Sequence, residues 1–545
     1  MRKNLLFLAS IVLAATVLLP SCDDDDDDVK VEGIAINKTT TVIEVGSTET
    51  LSVIFTPLNA SNKRVTWSSD DNNIATVSAD GVVTAVAEGD ATITATSNEN
   101  IEIKATCEVE VSPASGSSKT VSGHITANTK WYANTTYMLD GFVYVDEGAT
   151  LTIEPGTVIK GVINSKGTLI IQRGAKIMAQ GTADAPIVFT SAKAKGERSY
   201  GDWGGLVLCG YAPTNKHDVS TGVGTAEGGI DSQYGGTDPH DNSGVLQYVR
   251  IEFPGIALTS TSNSEINGLT LYAIGDATTI DHIQVSYSGD DSYEWFGGTV
   301  NVKYIVAFRG WDDEFDTDNG YVGKVQFAFG LRDPNSSDQS GSNGFESDND
   351  ADGSTLTPTT KPIFSNVSLY GPLTVSSTLP PENLFKRSMH LRRGTRLCVY
   401  NSIFAGYPKG LNIDGEKGNT PTQAENNVLQ IENCVLAGMA TNYEVSSAAT
   451  QADPYTVEQV QAYFESANRN NSKDITIAQI IGTNLINLSN PSLLPISGSP
   501  VLSGASFTNP NLSDSFFTST AFKGAFGTEN WTEGWCNWDP QNTDY

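Results

Sequence analysis

An acid-rich segment between residues 290 and 352 holds the side chains best suited to chemistry. It contains fourteen acidic and four basic residues. An offset of 22 residues places Glu294 over Asp316, and a further offset of 30 places Glu346 beneath Asp316. This repetition predicts a column of carboxylates on successive turns of a repeating fold. The candidate metal ligands of this region are Asp290, Asp291, Glu294, Asp312, Asp313, Asp316, Asp318, Glu346 and Asp348.

Stacked carboxylates need compensation, because neighbouring strands lie about 4.8 Å apart and like charges at that distance repel each other. Hard oxygen ligands on a rigid frame favour Ca²⁺, which is the cofactor that the pattern suggests. Two other interpretations stay open. The segment can be a solvated acidic face, or its carboxylates can form ion pairs with Arg392 or Arg393 on the following coil.

A catalytic alternative would use Glu294, Asp316 and Glu346. A glycoside hydrolase needs two carboxylates, and a β-helix lyase needs acidic Ca²⁺ ligands with an Arg or Lys base. The sequence GDD at 289–291 resembles one element of the polygalacturonase group, but the Gly-His-Gly partner is missing. No GxSxG, HExxH or phosphate-loop motif occurs. We therefore favour a binding or inactive site and assign no catalytic residue.

Aromatic residues cluster around the acidic segment. Aromatic faces beside carboxylates suit sugar rings or the side chains of a partner protein. Packing beneath loops is the alternative, and for Trp295 and Trp311 the two interpretations are balanced. The candidate ligand-binding residues are Trp295, Trp311, Tyr321 and Arg392.

The elements that must position these residues form a stack of coils. The segments ATLTIEPGTVIKG and GTLIIQRGAKIMA superpose with an offset of 18, which pairs Leu151 with Leu169 and predicts one coil of a parallel β-helix. Later strands predict two apolar columns and an asparagine ladder. The first column is Val249, Ile283, Ile305, Val325 and Val367; the second is Ile251, Val285, Ala307, Phe327 and Leu369; the ladder is Asn366, Asn401 and Asn433.

The end of the chain differs from the coils. Residues 456–468 begin with a capping Thr and carry apolar residues at helical spacing, which predicts a short helix in a late insertion. The Trp-rich segment 522–540 is expected to cover the open end of the solenoid, because an uncapped end exposes strand edges. Trp531, Trp535 and Trp538 are therefore predicted to belong to a cap.

The net charge limits the kinds of partner, and the cysteine content limits the kinds of cross-link and structural metal site. The formal net charge is −30, so nucleic acid is excluded as a partner by repulsion from its phosphates. Besides Cys22, five scattered cysteines remain, without a CxxC pattern. An odd number argues against a disulfide framework, and unpaired spacing argues against a structural zinc site.

The N-terminus reads as an export signal followed by an anchor. Residues 1–21 combine a basic start with a short apolar run, as in a signal peptide. Leu19 and Ser21 before Cys22 resemble a lipobox, which implies that Cys22 is acylated. The acidic run within residues 22–30 resembles the surface-export signal of Bacteroidota lipoproteins. The resemblance implies a lipid anchor in the outer membrane that faces the cell exterior.

Residues 31–112 alternate apolar and polar residues between turn signals, which predicts a two-sheet sandwich. The segment VTWSSDDNNIATVSADGVVTAVAEGDATITA resembles the group 2 bacterial immunoglobulin-like domain, with Trp67 in the core and a hairpin turn at Asp80-Gly81. Such domains are spacers or adhesive stalks. Residues 113–119 read as a flexible linker.

Residues 120–545 resemble a family of β-helical surface proteins without a settled activity, through LTIEPGTVIKG, GFESDND, HLRRGT and the Trp-rich end. More broadly they resemble pectin-lyase-like β-helices. The expected fold is all-β: an immunoglobulin-like sandwich, then a right-handed parallel β-helix with a Trp-rich cap. The expected function is binding of a glycan or protein at the cell surface, with a role as accessory subunit of a TonB-dependent transporter suggested by analogy. A polysaccharide lyase or hydrolase, and a structural or adhesive rod, are the alternatives.

Overall fold

The computed structural model describes residues 28–216, 223–257, 266–446 and 451–545. The chain divides into two compact units, Met1–Ala114 and Ser115–Tyr545. The predicted signal peptide, Cys22 and most of the acidic tether lie outside the described residues. Within the described ranges, no helix has both the length and the apolar composition needed to cross a bilayer.

The first unit is a β-sandwich whose two main sheets have the strand orders β2-β9-β8-β5 and β3-β7-β6. Ala75, Val83, Ile93 and Val109 are buried and belong to one core shared by both sheets. Gly81 has a φ of +79° in the turn that joins β6 to β7, as the sequence predicted. Its strands are β1 (Gly33–Ile36), β2 (Thr40–Glu44), β3 (Thr48–Thr50), β4 (Val53–Thr56), β5 (Val65–Ser69), β6 (Ala75–Val77), β7 (Val82–Ala85), β8 (Gly89–Ser97) and β9 (Lys104–Ser112).

The second unit is a solenoid built from one continuous sheet of 25 strands, which pair in parallel with the strands of neighbouring coils. A small hairpin, β19–β20, lies outside that sheet. The first strand of the solenoid begins at Ser117, inside the stretch that the sequence suggested as a linker. The first solenoid strands are β10 (Ser117–Ile125), β11 (Thr129–Trp131), β12 (Thr135–Val145), β13 (Thr150–Ile153), β14 (Val158–Gly161), β15 (Thr168–Ile171), β16 (Lys176–Gln180), β17 (Ile187–Ser191), β18 (Gly205–Cys209), β19 (Gly224–Thr225), β20 (Gln233–Tyr234), β21 (Gly244–Glu252), β22 (Leu269–Tyr272) and β23 (Thr279–Ser286).

The later coils carry the acid-rich segment and the helices. Their strands are β24 (Tyr293–Phe296), β25 (Val302–Phe308), β26 (Phe315–Asp318), β27 (Lys324–Leu331), β28 (Phe345–Ser347), β29 (Ile363–Tyr370), β30 (Arg387–Leu391), β31 (Cys398–Tyr400), β32 (Ile403–Ala405), β33 (Lys409–Ile413), β34 (Gln430–Glu432), β35 (Val435–Ala437) and β36 (Thr441–Glu444). The α-helices of the described residues are α1 (Thr420–Glu425), α2 (Val457–Phe464) and α3 (Ile477–Ile481), and short 3₁₀ helices lie at Ile163–Ser165, Pro372–Thr374, Pro500–Leu502, Pro510–Leu512 and Pro540–Asn542. One side of the solenoid, which we call the acid-bearing facet, pairs its strands in the order β15-β18-β22-β24-β26-β28-β30-β33-β36.

The coil length differs from the predicted 18 residues. Leu151 pairs with Ile177 and Val143 pairs with Leu169, so one coil here takes 26 residues. The two similar segments lie on successive sides of the solenoid, and each contributes a strand, a Gly turn and another strand. The similarity is real, but it reflects the shared strand-turn-strand pattern rather than stacking of one segment on the other.

The predicted columns are correct in their early rungs and wrong in one later coil. Val249, Ile283 and Ile305 pair in register as expected. Ile305 then pairs with Ala328 rather than Val325. The same change of register affects the second predicted column. Ala307 pairs with Gly330 instead of Phe327, so Phe327 does not point into the solenoid. Phe327 instead adopts a positive φ at a corner between two sides of the solenoid.

This corner repeats along the solenoid as a column of residues whose backbone is in the left-handed conformation. The column consists of Tyr248, His282, Tyr304, Phe327, Asn366, Asn401 and Asn433, with φ between +50° and +61°. Asparagine tolerates this conformation well, which explains the last three rungs. The first four rungs are aromatic rings whose centroids are stacked at 4.3–4.9 Å. Stacking of these rings supports a backbone conformation that bulky residues rarely adopt.

The Trp-rich segment was predicted to cover the open end of the solenoid, and this prediction is wrong. Residues 499–545, which we call the C-terminal strap, run back along its flank. Gly524 donates to the carbonyl of Asn401 in a late coil, and Arg198 in an early coil donates to the carbonyl of Pro540 at 2.7 Å. Trp535 is buried against this flank. The strap is needed there because the outer apolar column of these strands must be covered. This column runs from Val306 through Phe329 and Ser368 to Ile403, and its three apolar members are buried.

The end of the solenoid is covered by α2 instead. Thr456 caps this helix through a capping box with Gln459, as the sequence pattern predicted. Val460 and Phe464 are buried in the main core, whereas Val457, the third apolar residue of the pattern, is exposed. The ring of Phe464 lies 5.9 Å from that of Tyr443 on β36, the last strand of the acid-bearing facet.

Candidate cation and ligand site

The acidic column forms on the acid-bearing facet as the sequence predicted. Glu294 on β24 pairs in register with Asp316 on β26, which pairs with Glu346 on β28. Because side chains alternate along a strand, the preceding residues point into the solenoid. These residues are Tyr293, Phe315 and Phe345, fully buried with successive ring centroids 5.6 Å apart.

The column continues beyond the acidic residues in both directions. Thr270 precedes Glu294 in register, and His390 follows Glu346. The Nδ1 and Nε2 atoms of His390 lie 3.2 Å from Glu346 and 3.4 Å from Asp414. Sequence reasoning missed the role of His390 in the column, although the register of HLRRGT beneath GFESDND could have revealed it.

Two groups of carboxylates meet beside the column. Oxygens of Asp290, Asp291 and Asp312 lie within 4.8 Å of one another, and so do oxygens of Asp291, Glu294 and Asp316. Asp291 belongs to both groups and joins the loop before β24 to the column. Five of the nine predicted metal ligands therefore come together.

The other four predicted ligands lie outside these two groups and contact other neighbours. Asp313 accepts hydrogen bonds from the backbone and the amide of Asn343. Asp318 accepts from the backbone N–H of Asn319 at 2.6 Å. Glu346 and Asp348 form ion pairs with Arg392, and Asp348 also pairs with Arg393 at 2.6 Å. The ion-pair interpretation is thus correct for the lower rungs, and we exclude these four residues from the cation site.

Burial and mutual repulsion raise the pKa values of the upper carboxylates. Burial raises the pKa of Asp291, Glu294 and Asp316 well above the usual range, and the neighbouring acids raise it further. Burial, and then Asp290, raise the pKa of Asp312 to about 7. Burial also disfavours ionised Glu346, but Arg392 and His390 outweigh it and lower the pKa to about 2.

Several buried oxygen atoms at the site have no hydrogen-bond partner among the described residues. These include Oδ1 of Asp312 and Oδ1 of Asp316. Asn343 is 2% exposed, and its amide nitrogen donates to Asp313 and Glu346 at 3.3 Å each. Its Oδ1 accepts no hydrogen bond from any residue that the structure describes. Unpartnered carboxylate and amide oxygens fit the donor set that Ca²⁺ prefers.

The aromatic predictions are wrong for Trp295 and Tyr321. Both side chains are 0% exposed and stack on each other inside the solenoid at 5.4 Å. Trp295 follows the outward-facing Glu294 by one position, so alternation along the strand places it in the core. Trp311 is 40% exposed, and its Nε1 donates to the carbonyl of Ser337 at 2.7 Å. Of the predicted aromatic ligand-binding residues, Trp311 keeps an exposed face.

Comparison with known proteins assigns both units. Residues 123–480 match the family described as a pectate-lyase-like beta helix domain. The chain belongs to this family. Residues 30–109 match the group 2 bacterial Ig-like domain. The pectate-lyase-like chain is also 38% identical over 84 residues to an uncharacterized protein of Clostridium acetobutylicum. That alignment covers 15% of this chain and 9% of the relative, so it carries no statement about the whole protein.

Proposed function

We propose that this protein is a surface-anchored lipoprotein that binds carbohydrate at the acid-bearing facet with the help of Ca²⁺. The signal-like N-terminus and Cys22 support the anchor, and the immunoglobulin-like unit supports a surface location. Membership of a pectate-lyase-like family supports a carbohydrate ligand. The acid-bearing facet itself supports the cation, because carboxyl groups held this close together need either protons or a cation to compensate their repulsion.

The observation that carries the proposal is the pair of carboxylate groups that share Asp291. Within the described part of the chain, one oxygen each of Asp312 and Asp316 has no hydrogen-bond partner. Asp290, Asp291, Glu294, Asp312 and Asp316 would hold the cation. Bound there, Ca²⁺ would neutralise the repulsion and offer a contact for oxygen atoms of a sugar. The exposed ring of Trp311 precedes Asp312 in the chain, where it can stack on a sugar ring.

A calcium titration followed by the melting temperature tests the cation site, because a ligand that binds the native state stabilises it by mass action. We expect the wild type to melt at a higher temperature in millimolar Ca²⁺ than in chelator. The shift should disappear in Asp291→Asn and Asp316→Asn. It should persist in Asp140→Asn, which alters an exposed carboxylate on an early coil. No shift in the wild type would contradict the cation site.

Binding to immobilised neutral and uronate polysaccharides tests the ligand. We expect retention that needs Ca²⁺ and falls at least tenfold in Trp311→Ala. Retention that is equal in Ca²⁺ and chelator would contradict the role of the cation. Retention unchanged in Trp311→Ala would contradict the role of the ring.

A second candidate function, glycan cleavage, is favoured by one specific observation. Asp316 and Glu346 occupy adjacent rungs, and their pKa values are displaced in opposite directions. A carboxyl group with a raised pKa beside one with a lowered pKa, on strands about 4.8 Å apart, is the arrangement that a retaining glycosidase uses. Release of reducing sugars from the same polysaccharides, lost in Asp316→Asn, would favour this function over binding alone.

A further inference from the structure

Among the contacts that hold the backbone of the C-terminal strap, three follow one pattern at separate places on the solenoid. At each place one side-chain carboxamide both donates to the carbonyl and accepts from the N–H of a single strap residue. The pairs are Gln284 with Asn537 (2.9 and 2.8 Å), Gln326 with Thr518 (2.7 and 2.8 Å) and Asn401 with Ser506 (3.0 and 2.8 Å).

All three carboxamides are buried, at 0% exposure, although each lies on the outer side of its coil. A buried amide that lost its partner would leave one donor and one acceptor unsatisfied. Because each pair satisfies both atoms with main-chain groups, this recognition does not depend on the side chain of the strap residue. The flank therefore binds the peptide backbone at these three points.

Aromatic side chains of the strap pack on the same flank. Phe526 packs against Phe329 with ring centroids 5.2 Å apart, and Trp531 packs against Tyr304 at 5.4 Å. Trp535 contacts His282 at 5.5 Å and Tyr248 at 5.8 Å. These rings cover the left-handed corner column and the outer apolar column, which both lie under the strap. Buried aromatic anchors between polar contacts are also the arrangement of a binding interface.

We propose that this flank is a binding surface for an aromatic-bearing peptide that spans several coils, and that residues 499–545 occupy it as a ligand held within the same chain. The strap then binds as a separate peptide once its covalent link is cut, and the strap of a second copy can replace it. The inference is independent of the acid-bearing facet. It rests on the three carboxamide pairs and on the aromatic contacts.

The full-length protein with a protease site inserted at Gly498 tests the proposal. Gly498 is exposed in a turn, and no atom lies within 4 Å of an added Cβ. After cleavage we expect both fragments to elute together in gel filtration under native conditions. Excess fluorescent peptide 499–545 should replace the cut strap over hours, and the uncut protein should take up less than a tenth as much. Loss of the strap on cleavage, precipitation, or no uptake of the peptide would overturn the proposal.

Two variants test whether the carboxamides are the recognition element. Gln284→Met and Gln326→Met should each speed displacement of the cut strap at least tenfold. Both positions lie outside the left-handed corner, unlike Asn401, so the backbone remains unstrained. Gln461→Met, on the exposed side of α2, is the matched control and should exchange at the wild-type rate. Exchange of the two variants at the control rate would overturn backbone recognition by these residues. All rates should be equal in Ca²⁺ and chelator.

Discussion

Asp291 couples two sets of charges that would otherwise be independent. Its carboxylate is close to Asp290 and Asp312 on one side and to Glu294 and Asp316 on the other. A proton or a cation taken up at one group therefore changes the field at the second group. One bound ion can relieve repulsion among five acids, which makes the site sensitive to both pH and metal concentration.

The first prediction concerns pH. Asp312 has a pKa of about 7 in the native protein, raised from 3.8. Between about pH 4 and pH 7 the native state keeps a proton that the unfolded state has lost, so the unfolding free energy should fall as pH rises through this range. In chelator we expect Asp312 to contribute about 1–3 kcal/mol to this fall. Melting temperatures from pH 4 to 8 should decline less steeply in Asp312→Asn, whereas Asp140→Asn keeps the wild-type slope. Identical slopes in all three proteins would contradict the prediction.

The second prediction concerns Arg392, the guanidinium shared by Glu346 and Asp348. Arg392→Ala leaves Glu346 without its strongest cationic partner in a largely buried place. Such a loss costs on the order of 2–4 kcal/mol. Urea unfolding should show this decrease, with less than about 0.5 kcal/mol for Lys176→Ala at an exposed strand position. A loss as small as that of the control would mean that Arg392 is not needed to compensate the column.

The sequence predicted which carboxylates pair across neighbouring strands, but it was not used to predict which side chains on those strands are buried. The offsets of 22 and 30 residues gave the neighbours of Asp316 correctly, because acidic and aromatic residues repeat together. The same alternation that places Tyr293 inside also places Trp295 inside, and that step was missed. The partner of Asp313 could not be predicted, because Asn343 belongs to a loop whose path depends on tertiary contacts.

Among the elements, α2 has the clearest individual task. Its residues Val460 and Phe464 pack on the last coil and so cover the last strand of the acid-bearing facet. Phe464→Ala should cost about 3–5 kcal/mol and promote association through the exposed end. Val457→Ala changes an exposed residue of the same helix and should cost less than about 1 kcal/mol. Urea unfolding and light scattering measure both effects. Equal losses in the two variants would show that α2 does not cover the coil end.

The strap is the element that sequence reasoning placed wrongly. Trp-rich composition signals burial but does not say against which surface. A better signal was present in strands such as YIVAFR and KVQFAF, which are apolar on both faces. A strand that is apolar on both faces must be covered on both sides, so these strands called for a covering layer along the flank. The 18-residue similarity was also misinterpreted. One coil contains more than one strand-turn-strand segment of similar sequence, so similarity between two segments does not show that one stacks on the other.

For the whole molecule, the two units have separate cores and should unfold separately. Ile93 is buried in the immunoglobulin-like core, and none of the buried residues of that core lies in the solenoid. Calorimetry should therefore resolve two transitions. Ile93→Ala should lower the stability of one unit by about 2–5 kcal/mol and leave the other transition in place. Movement of both transitions together would contradict independence.

The strap also fixes how many coils this molecule can have. Solenoids usually vary in length by gaining or losing a coil, and each coil adds about 4.8 Å. The strap residues Ser506 and Asn537 meet their partners in coils that are several rungs apart. One extra coil between Gln284 and Asn401 would pull these partners out of reach by more than a hydrogen bond tolerates. The length of the strap must therefore match the number of coils that it spans. A relative with a different number of coils would need a strap of a correspondingly different length.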